Sequence, residues 1–558
     1  MAPSPQPRRG SASSILAYLD QLDPSTRPFL RAFALGYCAE TIPAVVRALT
    51  RRKRRNALEV ILQLARALKF KGFQSLAVAF GIAVGGGKYG ERLVEPVVRR
   101  AYLAARDKAR ATREGKGKGK AKEVTLTEDE ELEKLKTDHK VVETITTACA
   151  ATISSFLAIL LLQSSPSYRR PATPTAVSTD PKLDFSVSPY TVTTTASQLR
   201  RTKPRHSGST ASIVQSPTLD LTLFVFVRAV DTLVRGAYHH TGATDGRFGS
   251  LSTFFASNAD TLTFSLSCFV IMRSWFYFPE ALPPSYNRWI LQLARMDKRL
   301  LELLRYARTG RFVYGKAPDA EVLKMCHGIA AGAGKDVTTT NPELISRFSC
   351  DFVHGQVGKG SCEANAVKRW ARAFLDCLLI YLPVHAIPPL LFNFSRVLHQ
   401  PGSSIVRILL AASRSSAFLA TFVASIYASV CLVRTRIPSF FPRGFIPQQP
   451  LDGGLAVYLG CVMCGFSVLI ENKRRRREMA LFTATRALYA VVDDVLPNFV
   501  TRGHTGEFLT KWLERVVFST SAGTVIAATV HRPDLVSGVV KGVVGVAVKD
   551  WSGKPRAR

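Results

Sequence analysis

The chain has 558 residues, 47% of them hydrophobic, with a mean hydropathy of +0.09 and a formal net charge of +34. Those averages match a soluble protein, but the apolar residues are gathered into segments and the bases into the gaps between them. That distribution excludes one folded basic face for nucleic acid and makes anionic lipid head groups the expected partner.

Residues 1–28 read as a disordered basic tail without the unbroken apolar core of a secretory signal. Segment 29–49 is the first apolar stretch, and Arg51, Arg52, Lys53, Arg54 and Arg55 close it on an aqueous side. Segment 72–87 carries Gly81 and Gly85 at the small-xxx-small spacing that lets a neighbouring helix approach closely. A charged linker, 91–140, leads to the nearly uncharged segment 141–163, and a disordered Ser/Thr/Pro loop follows over 164–217. Segment 219–234 is apolar but holds Arg228 and Asp231, three apart on neighbouring turns where they can pair. Segment 251–272 completes a first membrane repeat, 29–272. Residues 273–349 form an aromatic, proline-containing interfacial segment and a polar connector.

The second membrane repeat, 350–550, begins at a Cys/His entry motif, Cys350, His354 and Cys362. Segments 373–394, 405–433, 453–470 and 479–500 each approach the roughly 20 apolar residues that an α-helix needs to cross a hydrocarbon core. Between the last two stand Lys473, Arg474, Arg475, Arg476 and Arg477, which cannot enter lipid and serve as a topology determinant. Residues 551–558 are a basic tail that lacks a peroxisomal Ser-Lys-Leu address.

The halves align with each other. TLFVFVRAVDTLV (222–234) matches ALFTATRALYAVV (480–492) and sets Arg228 against Arg486, and Ile42-Pro43 matches Ile387-Pro388. The fold class expected is therefore all-α, a multi-pass membrane helix bundle of two tandem four-or-five-helix repeats. Locally basic stretches on a common side require an even number of crossings per half. The expectation is four crossings each, with 219–234 and 479–500 lying along the surface.

CDFVHGQVGKGSC, WARAFLDCLLIY, SRSSAFLATFVASIYASVCLVR and FSVLIENKRRRREMALFTATRALY together resemble the transmembrane protein 135 family, itself distantly related to the channel-forming subunits of mitochondrial inner-membrane import. The resemblance covers about the last 210 residues well. It implies a peroxisomal or mitochondrial membrane protein tied to lipid homeostasis and organelle dynamics.

Several groups bear on chemistry. Cys326, His327, Cys350, His354 and Cys362 are zinc-ligand types within one connector, but C-x3-H-x7-C fits no common zinc module, so a metal-free packed turn is expected, with a soft-metal site or a redox-sensitive thiol pair as alternatives, and no cofactor is assigned. Cys38, Cys149, Cys268, Cys377 and Cys431 fall inside apolar segments and read as small hydrophobes, and Cys461 and Cys464 likewise as packing. His240 and Asp245 form an H-x4-D pattern similar to the catalytic block of glycerolipid acyltransferases, in which Asp orients a His general base; Phe278-Pro279-Glu280 is followed by Ala281 where that family's later block has Gly. Arg228, Asp231 and Arg486 either line a hydrophilic groove or reach head groups from the interface. The expected role is non-enzymatic, a scaffold or a lipid or solute conduit, with a protein-translocase-like channel and the acyltransferase as alternatives. Its expected partners are membrane lipids, a second copy or other organelle membrane proteins, and no nucleic acid.

Overall fold

The computed structural model describes residues 26–50, 57–70, 72–116, 128–164, 218–241, 249–282, 284–354, 357, 361–392, 394–442, 445, 447–499, 504–549 and 551. Among these residues the regular structure is helical and no strand occurs. In chain order the principal helices are α1 (Arg27–Thr50), α2 (Ala57–Leu68), α3 (Leu76–Gly81), α4 (Gly87–Lys116), α5 (Glu128–Ser164), α6 (Leu219–Thr241), α7 (Gly249–Tyr277), α8 (Pro284–Ala294) and α9 (Lys298–Thr309). They continue with α10 (Ala320–Gly332), α11 (Cys350–His354), α12 (Cys362–Phe392), α13 (Pro401–Cys431), α14 (Ala456–Met463), α15 (Lys473–Phe499), α16 (His504–His531) and α17 (Gly538–Ala547). The basic run 51–55 and most of the 164–217 loop lie outside the described residues.

Four helical runs are long and apolar enough to cross a membrane: Thr137–Ser164, Cys362–Leu390, Pro401–Ser439 and Gln448–Ile470. The other expected segments lie in helices that are shorter or more polar. Four crossings in each half is therefore more than length and composition support among the described residues, where one such helix falls in the first half and three in the second.

The chain divides into two compact units. One comprises Met1–Asp180, Tyr190–Asp245 and Val500–Arg558, the other Pro181–Pro189 and Gly246–Phe499. These cuts differ from the expected repeat limits of 29–272 and 350–550, because helices of each half are packed into the unit built mainly from the other half.

In the first unit α1 packs on α3, α3 and its π-turn (Ile82–Gly86) pack on α5, α5 packs on α16, and α16 on α6; α17 lies on α1. The crossing of α1 with α3 depends on glycine. A Cβ on Gly36 would fall 2.7 Å from the Ala77 Cα, and one on Gly85 2.4 Å from the Phe29 Cβ, so both backbones come closer than side chains allow. Gly81 faces the same Phe29 ring. Glu40, a charge inside the first apolar segment, accepts the Leu76 N–H at 3.0 Å and satisfies an orphan donor at the start of α3.

In the second unit α12 packs antiparallel on α13, α13 on α14 and the turn after it, those on α7, and α7 on α15. The end of α8 meets α12, where Arg295 pairs with Asp376 at 2.7 Å and Leu293 packs near Ala373. The packing thus runs α12, α13, α14, α7, α15 in the second unit and α1, α3, α5, α16, α6 in the first. In each unit the fifth helix (α16 in the first, α7 in the second) is contributed by the other half of the sequence. A smaller hydrophobic cluster joins α9, α10 and α11 through Leu303, Phe312, Val322, Cys326, Phe348 and Phe352. Gly310 ends α9 with φ of 77°, a left-handed cap that glycine adopts without strain.

Gly85→Val should destabilise the first unit, because its methyls enter the Phe29 backbone. A loss of about 1–3 kcal/mol is expected for overpacking of this kind. Thermal unfolding in detergent measures it, and adding Phe29→Ala should relieve only the side-chain part of the clash.

Candidate functional site

Polar side chains inside apolar helices must find partners on other helices. In the first unit they gather at two levels. At one level the Thr147 hydroxyl donates to Glu91 Oε1 at 2.6 Å and, with its proton so used, accepts from His531 Nε2 at 2.9 Å. Trp551 Nε1 donates to the same carboxylate oxygen, and Lys88 pairs with Glu91 at 2.9 Å. At the other level Thr218 Oγ1 donates to the buried Glu514 and accepts from Gln163 Nε2, while Arg515 Nε donates to Gln163 Oε1 at 2.8 Å. Thr147 and Gln163 are roughly 16 positions apart on α5, about 24 Å along its axis.

The second unit also carries polar contacts at two levels. The carboxylate of Glu471, 3% exposed, accepts from Ser415 Oγ on α13. Arg475 from the basic block donates to Ser415 Oγ at 2.8 Å and to His385 of α12 at 3.1 Å, and stands 3.7 Å from Glu471. Arg476 Nε caps the Glu471 carbonyl at 2.7 Å. Lys473, Arg474 and Arg477 stand beside them in the first turn of α15.

At the opposite end of α13, Arg434 and Asp452 form an ion pair in which both side chains are buried. Arg434 Nη2 also donates to the Phe348 carbonyl at 2.9 Å, and Tyr314 Oη donates to Asp452 Oδ2 at 2.6 Å. The pair thus ties the end of α13, the start of the Gln448–Ile470 run and the connector before α11 into one junction.

Beside it lies the Cys/His cluster. Ligand-type atoms of Cys350, His354 and Cys362 all fall within 4.8 Å of one another. A fourth group, Cys431 at the end of α13, joins them: its Sγ is 3.0 Å from His354 Nε2. The reading of Cys431 as a small hydrophobe is therefore corrected. A span segment gave no sign that its last turn would meet the entry motif of a preceding helix. Cys326 and His327 do not join the cluster; Cys326 is fully buried in the α9–α10 core, which pushes its thiol up to about 11. The hydrogen bond from Cys431 holds the Cys350 thiol below its ordinary value against the opposing effect of burial, with Arg434 adding to it. Burial, then Arg369, lowers His354 and keeps its imidazole neutral.

The remaining sequence candidates are placed as follows. Arg228 is buried on α6, donates to Ser537 Oγ at 2.7 Å and lies over the Phe224 ring. Asp231 is held by Arg235 one turn on, at 2.7 Å, and not by Arg228 as its three-residue spacing suggested, because Arg228 turns inward to the loop before α17. Arg486 lies over the ring of Phe482, as Arg228 does over Phe224. Cys461 and Cys464 are fully buried in the core with Cys268. His240 falls near the end of α6, and Asp245 lies outside the described residues.

Arg434→Met should cost about 3–5 kcal/mol, because Asp452 is left buried without its cation. Arg434→Met/Asp452→Leu should recover most of that loss. Unfolding midpoints of the three proteins in detergent compare them, and a double variant no better than the single would show that the junction depends on more than charge pairing.

No family model, no curated protein and no solved structure matches this chain.

Proposed function

We propose that this protein is a multi-pass integral protein of a peroxisomal or mitochondrial membrane, acting without catalysis in lipid homeostasis and organelle dynamics as a scaffold or a lipid or solute conduit. The observation that carries the membrane part is the layering of polar groups. On α5, from Thr147 to Gln163, and on α13, from Ser415 to Cys431, the two levels of polar contacts stand about 24 Å apart, close to the roughly 30 Å of a hydrocarbon core, and both helices lie in runs long and apolar enough to cross a membrane. The outer face of α12 supports the same reading: Leu375, Leu379 and Ile387 are exposed, Leu379 at 76%, on a helix apolar enough to span. The organelle and the lipid role rest on the likeness of about the last 210 residues to the transmembrane protein 135 family.

The two units are the products of a tandem duplication whose halves have exchanged their fifth helices. The shared packing order supports this, as do the matched prolines inside α1 and α12, Pro43 and Pro388, and the Phe-Arg pairs Phe224/Arg228 and Phe482/Arg486. Lys473, Arg474 and Arg477, exposed at the end of a span, face anionic head groups.

Cells lacking the protein should show altered organelle number and phospholipid composition, restored by the wild type and equally by His240→Ala. Rescue lost in His240→Ala, together with acyl-CoA consumption by the purified wild type, would replace this reading with the acyltransferase. A tagged copy should coincide with peroxisomal or mitochondrial markers.

Topology gives a second test. Three runs pass between the Cys/His level and the Glu471 level, so an epitope inserted after Lys316 and one inserted after Gln400 should be accessible from opposite faces of intact organelles. Access to both from one face contradicts a membrane-crossing hairpin of α12 and α13.

A further inference from the structure

The cluster of Cys350, His354, Cys362 and Cys431 is the one place among the described residues where soft donors converge from three separate elements. α11 supplies the thiol of Cys350 and the imidazole of His354 one turn apart, the first residue of α12 supplies Cys362, and the last residue of α13 supplies Cys431. α12 and α13 run antiparallel, which is why the beginning of one and the end of the other meet. His354 is completely buried, Cys431 nearly so, and Cys350 and Cys362 are half-buried.

We propose that these four side chains form a closed tetrahedral Cys3His site for a zinc ion. A zinc ion with bonds of about 2.3 Å to sulfur and 2.0–2.1 Å to nitrogen holds its donor atoms about 3.5–3.8 Å apart. The three atoms from Cys350, His354 and Cys362 already lie within 4.8 Å of one another, and His354 Nε2 and Cys431 Sγ are at 3.0 Å. Separations on both sides of the required value mean that small rotations of the side chains suffice.

Charge favours the same ion. Three thiolates and one Zn2+ leave a net charge of −1, and the Arg369 guanidinium, which donates to the His354 carbonyl at 3.1 Å, is a cation at the edge of the cluster. Binding transfers each remaining thiol proton to solvent and replaces S–H with S–Zn, so no oxidant or reductant is needed. With all four positions filled by protein, no position is left for water or substrate, which makes the site structural and not catalytic. Its effect is mechanical. It fastens α11, and through Phe348 and Phe352 the core of α9 and α10, onto one end of the α12–α13 hairpin.

The test uses the full chain purified in detergent without added metal or chelator, with metal measured by inductively coupled plasma mass spectrometry. The wild type should carry about one zinc per chain, and should take up cobalt with the thiolate charge-transfer and d–d bands of a tetrahedral site. Cys350→Ser, Cys362→Ser, Cys431→Ser and His354→Ala should each lose the metal, His354→Cys should keep it, and Cys326→Ser should keep it as a control outside the cluster. If the cluster variants fail to fold, the wild-type stoichiometry and cobalt spectrum still decide the matter. A wild type with negligible zinc and no cobalt bands overturns the proposal, as does a disulfide between any two of these cysteines found by mass spectrometry of the native protein. Zinc retained at full occupancy in Cys431→Ser overturns the four-ligand site.

Discussion

A polar group placed in an apolar layer has few options: it must meet another polar group from a different helix, and that meeting fixes which helices are neighbours. The buried pair of Arg434 and Asp452 is the strongest instance in this chain. It joins the π-turn that ends the α13 run, the π-turn that opens the Gln448–Ile470 run 18 residues on, and the connector at Tyr314 and Phe348, which precedes Arg434 by 86 residues or more. Apolar packing alone would let α12, α13 and α14 slide along one another at little cost. A charge pair with defined hydrogen bonds at one end, and the Glu471, Ser415, Arg475 and His385 contacts at the other, set their register.

The same logic explains the basic block of residues 473–477. Cations in the first turn of a helix oppose its dipole. Glu471, just before α15, offsets this by accepting from Ser415 while standing close to Arg475, and Arg476 in turn satisfies the Glu471 carbonyl. A stretch that in the sequence marks only an aqueous boundary is, in the folded chain, half of an interhelical lock.

Much of the fold class was legible because it depends on local properties. Helical character, the positions of the four most apolar runs and the glycine-rich stretch near Gly81 and Gly85 follow from composition and spacing over short windows. What could not be read was the partner of each segment. Nothing in 141–163 says that its neighbour is α16, nearly 400 residues on in the chain, since the apolar faces of helices are interchangeable in sequence and the choice is made by close contacts such as Gly523 against Ala148 and Thr152. Asp231 illustrates the same limit at shorter range: Arg228 and Arg235 were both within reach, and burial of Arg228 against Ser537 decided between them.

The Cys/His cluster shows the limit most clearly. Cys350, His354 and Cys362 stood out by residue type, yet three donors in an unfamiliar spacing do not define a site. The fourth donor sits in the last turn of a long apolar helix, where cysteine is ordinarily a small core residue. Only the antiparallel return of α13 along α12 carries Cys431 back to the level of Cys362, and that return depends in turn on the lock at Glu471. Loosening that lock would let α13 slide, and a register shift of a single turn would move Cys431 by about 5.4 Å. That is more than the whole spread of the other three donor atoms, so the polar contacts at one end of the hairpin decide whether a four-donor cluster exists at the other.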